Sequence, residues 1–228
     1  MKYLAFFFFL SISVFTTDGL AQVRYQVGLL PEFNFNTKLS SDWKLNLKAE
    51  MRYAAADRRA SDWERIRPGY QLSDFSWVVS RKVGLNNKLA GGYLLRLRSG
   101  RMVHRGIQQF TLVRRYNRFR LGHRFATDQT FSARESPEFR LRYRLTAEFP
   151  LNGTEVDRNE WYLKVSNEYL GAYQRGSTEL ELRVIPTLGY LFTDTNKLEF
   201  GLDMRSDSFL EGAAAHDIWL GVSWYVAL

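Results

Sequence analysis

Cysteine is absent from the 228 residues, which excludes a disulfide framework, a thiol nucleophile and a thiolate metal site. Histidine is scarce, at positions 104, 123 and 216 only, and no His/Asp/Glu spacing matches a metal site. There is no glycine loop of the kind that cradles phosphate; Gly91-Gly92 falls inside a strand-like segment, where small residues relieve crowding or mark a bend. No cofactor is therefore expected. Beyond residue 21 no stretch approaches roughly 18 uninterrupted apolar residues, so a helical membrane span is excluded there and any crossing must be by strands. No Pro-, Gly- or Ser-rich linker divides the chain, and one domain is expected.

What is present begins with an export signature. Met1-Lys2-Tyr3 is a basic tip, Leu4 to Phe15 is an apolar core too short to span a bilayer, and Gly19-Leu20-Ala21 places small residues before a cut at Gln22. The expected organisation is a cleaved signal peptide over 1–21 and a single domain over 22–228. The formal charge of +8 survives that cut, because Lys2 and Asp18 leave together. On an exported chain such a surplus meets anionic head groups and polysaccharide. The expected partners are outer-membrane lipid and lipopolysaccharide, with an unknown envelope protein as a further one; nucleic acid is not expected.

From Gln22 onward, apolar and polar residues alternate in segments of about eight to twelve residues, separated by turn formers. In the segment from Trp43 to Tyr53, Trp43, Leu45, Leu47, Ala49, Met51 and Tyr53 share one face, and Lys44, Asn46, Lys48, Glu50 and Arg52 the other. Glu138 to Phe149 and Lys197 to Arg205 repeat the pattern. Fainter versions run over Gln26–Thr37, Asp74–Val83, Lys88–Arg98, Gly106–Arg115, Arg118–Asp128, Glu160–Tyr169, Thr178–Phe192 and Asp217–Val226. These make about eleven strands. Single-chain bacterial barrels usually have an even number, so ten to twelve are expected and twelve favoured, with Arg65 to Leu72 as the spare candidate. Tight turns near 40, 86, 117 and 195 are interleaved with longer loops near 54–73, 99–105, 129–137, 170–177 and 206–216; Leu151 to Arg158 is a longer exception among the short ones.

Alternation does not say which face points outward, since a lipocalin-like barrel alternates with its apolar face inward. Eleven or twelve strands with that face inward would enclose a large apolar void, whereas the charged face suits a polar lumen. Aromatics near opposite ends of the apolar faces (Trp43 and Tyr53, Phe139 and Phe149, Phe119 and Phe125) match interfacial girdles. The expected fold is all-β: a single antiparallel transmembrane β-barrel of the Gram-negative outer membrane. Trp219 opposes the apolar face of the last strand and so would point into the lumen. A soluble periplasmic β-sandwich or barrel binding module shares the same period and is the competing fold.

Several segments carry a family resemblance: "LSSDWKLNLKAEMRY", "RIRPGYQL", "NNKLAGGYLL", "RFRLGHRFATDQTF" with "FRLRYRLTAEFPLNG", "RNEWYLKVSNEY" and "TNKLEFGLDMR". Together they resemble the domain of unknown function 2490 family of uncharacterised envelope proteins. The resemblance implies an outer-membrane barrel and supplies no catalytic residue. The sequence departs from the pattern at Val103-His104-Arg105-Gly106, where an acidic-His-Arg element is usual.

With the apolar face outward, the lumen would receive Lys48, Glu50, Arg52, Arg96, Arg98, Arg120, Arg124, Arg140, Arg142, Arg144, Glu148, Glu160, Lys164, Glu168, Glu179, Glu181, Arg183, Glu199, Asp203 and Arg205. In a narrow tube such charges pair across strands, Arg forks holding carboxylates. That implies a structural or transport barrel with an ion-paired lumen; a porin-like anion pore along Arg140, Arg142 and Arg144 is the sharper version. A lipid hydrolase or acyltransferase is the enzyme alternative, with His123, Ser132, Ser136 and Asp128 as candidates near one strand end. Against it, His123 is in phase with Phe119, Leu121 and Phe125, so no catalytic residue is assigned. His104 and His216 read as loop residues, and Asn152-Gly153-Thr154 as a turn.

Overall fold

The computed structural model describes residues 24–59, 68–207 and 215–228. The expected signal peptide over 1–21 lies outside them. The described residues form eleven strands: β1 (Arg24–Lys38), β2 (Trp43–Arg59), β3 (Gly69–Val83), β4 (Asn87–Arg98), β5 (Arg101–Tyr116), β6 (Phe119–Ser132), β7 (Glu138–Pro150), β8 (Glu160–Gln174), β9 (Ser177–Thr193), β10 (Asn196–Asp207) and β11 (Ala215–Ala227). Each pairs with its sequence neighbours, and β1 pairs with β11 to close a barrel. The count lies within ten to twelve, and among the described residues the favoured twelfth strand is not formed. Of its candidate segment, Gly69 to Leu72 opens β3, and residues 65–67 lie outside the described residues.

The odd count dictates the closure. In a meander of antiparallel hairpins, strands one and eleven run the same way, so their seam is parallel, from Arg24↔Ala215 to Asn36↔Ala227. All other neighbours are antiparallel. Arg24 and Leu228 consequently lie at opposite ends of the barrel. Two prolines sit in the wall where a ladder opens. The β1–β2 register skips Leu30 and Pro31, and the β9–β10 register skips Ile185 and Pro186. A proline has no N–H to donate, so such gaps are where a sheet tolerates it.

The connections correct part of the sequence reading. The expected longer loops at 99–105 and 170–177 are two-residue hairpins, Ser99-Gly100 and Arg175-Gly176. Both residues of each turn have positive φ (52° and 71°, 53° and 82°), the geometry whose twist matches that of paired strands. His104 and His216 therefore lie in strands rather than loops. The connection at 133–137 is longer, and 151–159, at the opposite end, is long as expected. In that loop Arg158 Nε donates to Asp194 Oδ1 at 2.8 Å, and Asn152 and the Asp157 N–H donate to the Glu160 carboxylate at 2.9 and 3.2 Å.

The outer face is apolar. Leu141 and Met102 are 65% and 61% exposed, and Leu29, Phe33, Trp77, Phe200, Leu220 and many like them are largely uncovered. At the end holding the C-terminus, Tyr116, Phe119 and Phe149 stack in sequence (centroids 4.5 and 5.8 Å apart), and Trp161, Tyr190 and Phe192 meet in tilted and edge-on contacts (4.9 and 4.8 Å). Exposed Tyr25, Tyr53, Tyr70, Phe131, Phe139 and Tyr173 ring the other end. One polar break in this wall satisfies itself: Gln108 and Gln129 exchange amide hydrogen bonds of 3.1 and 3.0 Å, and Thr127 donates to Gln108 at 2.7 Å.

Candidate functional site

Because side chains alternate across a strand, the polar set of every strand turns inward together, and the interior becomes a column of charge around a cavity of about 700 Å³. Register decides which charges meet. Arg124, Arg144, Glu168 and Arg183 stand directly opposite one another across β6, β7, β8 and β9. Glu168, fully buried, accepts from Arg144 Nε at 2.7 Å and Arg124 Nη2 at 2.9 Å, with Arg183 Nη1 3.3 Å from its other oxygen. Two rows further along the inner face, the fully buried Asp128 takes Arg140 Nε at 3.1 Å and Arg142 Nη2 at 2.7 Å. Two carboxylates thus hold five guanidinium groups, and this sector carries a surplus of positive charge.

Elsewhere the charges are closer to balance. Asp74 grips Arg96 through both oxygens at 2.8 and 2.7 Å. Glu32, Lys48, Glu50 and Arg52 form a chain across β1 and β2, with Lys48 3.1 and 2.8 Å from the two carboxylates. Glu199 accepts from Tyr162 Oη at 2.6 Å, from Lys197 at 2.8 Å and from Lys164. Arg205 lies on Asp203 at 2.6 Å, and Arg183 also reaches Glu181. An ion removed from water is costly unless its partners are close and well aimed, and these pairs meet that condition.

Two inward aromatics pack on glycines. Tyr162 lies over its cross-strand partner Gly189, where an added Cβ would come within 2.2 Å of the ring. Trp219, 1% exposed, lies over Gly28 across the parallel seam and against Arg52, 6.0 Å from its ring centre. Its inward direction is the one the sequence phase implies.

Of the charges expected inside, Lys48, Glu50, Arg52, Arg96, Arg124, Arg140, Arg142, Arg144, Lys164, Glu181, Arg183, Glu199, Asp203 and Arg205 border the cavity. Glu168 is buried behind its arginines. Arg120 and Glu148 pair at 2.8 Å at the mouth beside the 151–159 loop. Glu160 is taken up by that loop, and Arg98 and Glu179 are exposed near hairpins at the other end. Glu32, Asp74, Lys88 and Arg105 also border the cavity and were not expected there. Phase would have revealed Asp74, which alternates with Phe75 and Trp77. Arg105 was hidden by reading 99–105 as a loop.

The candidate hydrolase constellation is not assembled. His123 and Asp128 lie on opposite faces of β6: His123 is bonded to Tyr143 Oη on the outer wall at 2.9 Å, and Asp128 is held inside by two arginines. Ser132 Oγ accepts from the Glu135 N–H, and Ser136 Oγ accepts from Arg175.

Fold and interior together define a closed β-barrel of inverted polarity, apolar outside and ion-paired within. A family described as protein of unknown function (DUF2490) matches residues 27–209, and the chain belongs to that family. No curated protein and no solved structure matches it.

Proposed function

We propose that this chain is an outer-membrane β-barrel of a Gram-negative cell, crossing the bilayer with its eleven strands and serving a structural or transport role. The observation that carries this reading is the inverted polarity. Water favours neither a wall of exposed Leu, Phe and Trp nor an interior crowded with arginine and carboxylate, whereas a lipid surround and a wet lumen suit both. The two aromatic rings at opposite ends of the wall sit where bilayer interfaces would lie. Closure by the β1–β11 seam leaves no unpaired strand edge, as a bilayer core requires.

Within that role, a pore for small anions is favoured by the five arginines that share the three carboxylates of Asp128, Glu168 and Glu181 beside an open cavity. The test is conductance of the refolded chain in planar bilayers. Steady anion-selective steps that shrink on Arg142→Glu make transport the role. Insertion without conductance leaves a structural barrel, and failure to insert contradicts the membrane reading.

A further inference from the structure

We propose that the barrel interior contains a binding site for a phosphate-class oxyanion, centred on Arg105 and completed by Arg96 and Arg140. The proposal rests on the barrel reading above and adds a ligand to it.

Arg105 differs from the other interior arginines. It is 6% exposed, yet among the described residues no carboxylate lies within ion-pair reach of it; its Nε donates to the neutral Thr130 Oγ1 at 2.9 Å. A buried guanidinium with no carboxylate in contact is expensive, and a bound anion is a direct means of pairing it. Arg105 borders the cavity, so a solute there can reach it.

Register brings two further cations to the same patch. On β4, Leu94 is the partner of Arg105, which places Arg96 diagonally beside it on the inner face. Across β6, Thr130 is opposite Arg105 and Asp128 is opposite Arg140, so Arg140 lies two strands away on that face. Arg105 stands in the electrostatic field of both. Asp74 holds Arg96 through Nε and Nη2, and Asp128 holds Arg140 through the same pair, which fixes each plane and leaves Nη1 of each outside that grip. Glu138 and Asp128 also act on Arg105 electrostatically without forming an ion pair with it. The result is one uncommitted guanidinium flanked by two oriented ones, a donor array suited to a tetrahedral oxyanion with several acceptor oxygens.

The test is calorimetric titration of the folded chain in detergent micelles with inorganic phosphate, at constant ionic strength set by chloride. Folding is scored separately by the difference in gel migration between unheated and boiled samples. The expected result is saturable binding with one phosphate per barrel, weakened tenfold or more by Arg105→Gln and less by Arg105→Lys, which keeps the charge. Lys88→Gln, elsewhere on the cavity wall, is expected to change affinity less than twofold. Folded, heat-shifted protein that binds no phosphate, or binds it equally with Arg105→Gln, overturns the site and leaves the barrel standing. A chain that stays in solution without detergent and shows no heat shift overturns the barrel reading itself.

Discussion

Glu168 shows how much one side chain can hold. It has no contact with solvent, and three arginines from three strands converge on it. Glu168→Gln keeps the shape and removes the charge, leaving those guanidinium groups to repel one another. Breaking a buried pair from one side costs about 3 kcal/mol or more, and urea unfolding from lipid vesicles is expected to show a loss of that order. An unchanged midpoint would contradict that convergence of charge on Glu168. Gly189 makes a steric counterpart. The methyl of Gly189→Ala would displace Tyr162 and with it the hydrogen bond to Glu199, and overpacking of this kind costs about 1–3 kcal/mol. The same unfolding measurement checks it. Neither relation could be read beforehand. Phase alone places Glu168 inside, but its three partners depend on the registers of β6 through β9, and nothing local to Gly189 announces the ring that covers it.

Among the connecting elements, the 151–159 loop makes the most specific contacts. Arg158 grips Asp194 in the β9–β10 turn, and hydrogen bonding to that guanidinium, aided by its charge, holds the Asp194 carboxyl below its ordinary range. A carboxylate lowered in this way contributes its tether above its ordinary pKa and loses it only as pH falls through the lowered value. Amide protection across 151–159 is therefore expected to persist from neutral pH to below about 4, the usual aspartate value, and then to fall. Asp194→Asn should lower protection already at pH 7; protection indifferent to that change would contradict the tether. The length of this connection was legible, because Leu151 to Arg158 breaks the alternation. The hairpins at Ser99-Gly100 and Arg175-Gly176 were not: polar residues flank both, and only the register, Arg98↔Arg101 and Gln174↔Ser177, shows that pairing continues to the turn itself, which positive φ at both turn residues permits.

For the barrel as one body, alternation carries the strands and parity carries the inside from the outside, because a period of two allows only two faces. All eleven periodic segments correspond to strands, and pairing with neighbours extends each at one end or both, although β6 starts at Phe119, one residue after the expected Arg118. Closure was not legible. Evenness is a habit of bacterial barrels rather than a physical requirement, and a parallel seam closes an odd number equally well. Contact between the apolar face and lipid, which the proposed function requires, is directly measurable because cysteine is absent and single cysteines can be introduced without background. Leu202→Cys on the outer face and its neighbour Gly201→Cys on the cavity wall, each carrying a fluorescent maleimide in vesicles, should divide cleanly between two quenchers. Bromine-labelled acyl chains are expected to quench the probe at 202 and aqueous iodide the probe at 201; iodide quenching at 202 with no effect of brominated lipid would contradict a membrane-spanning barrel.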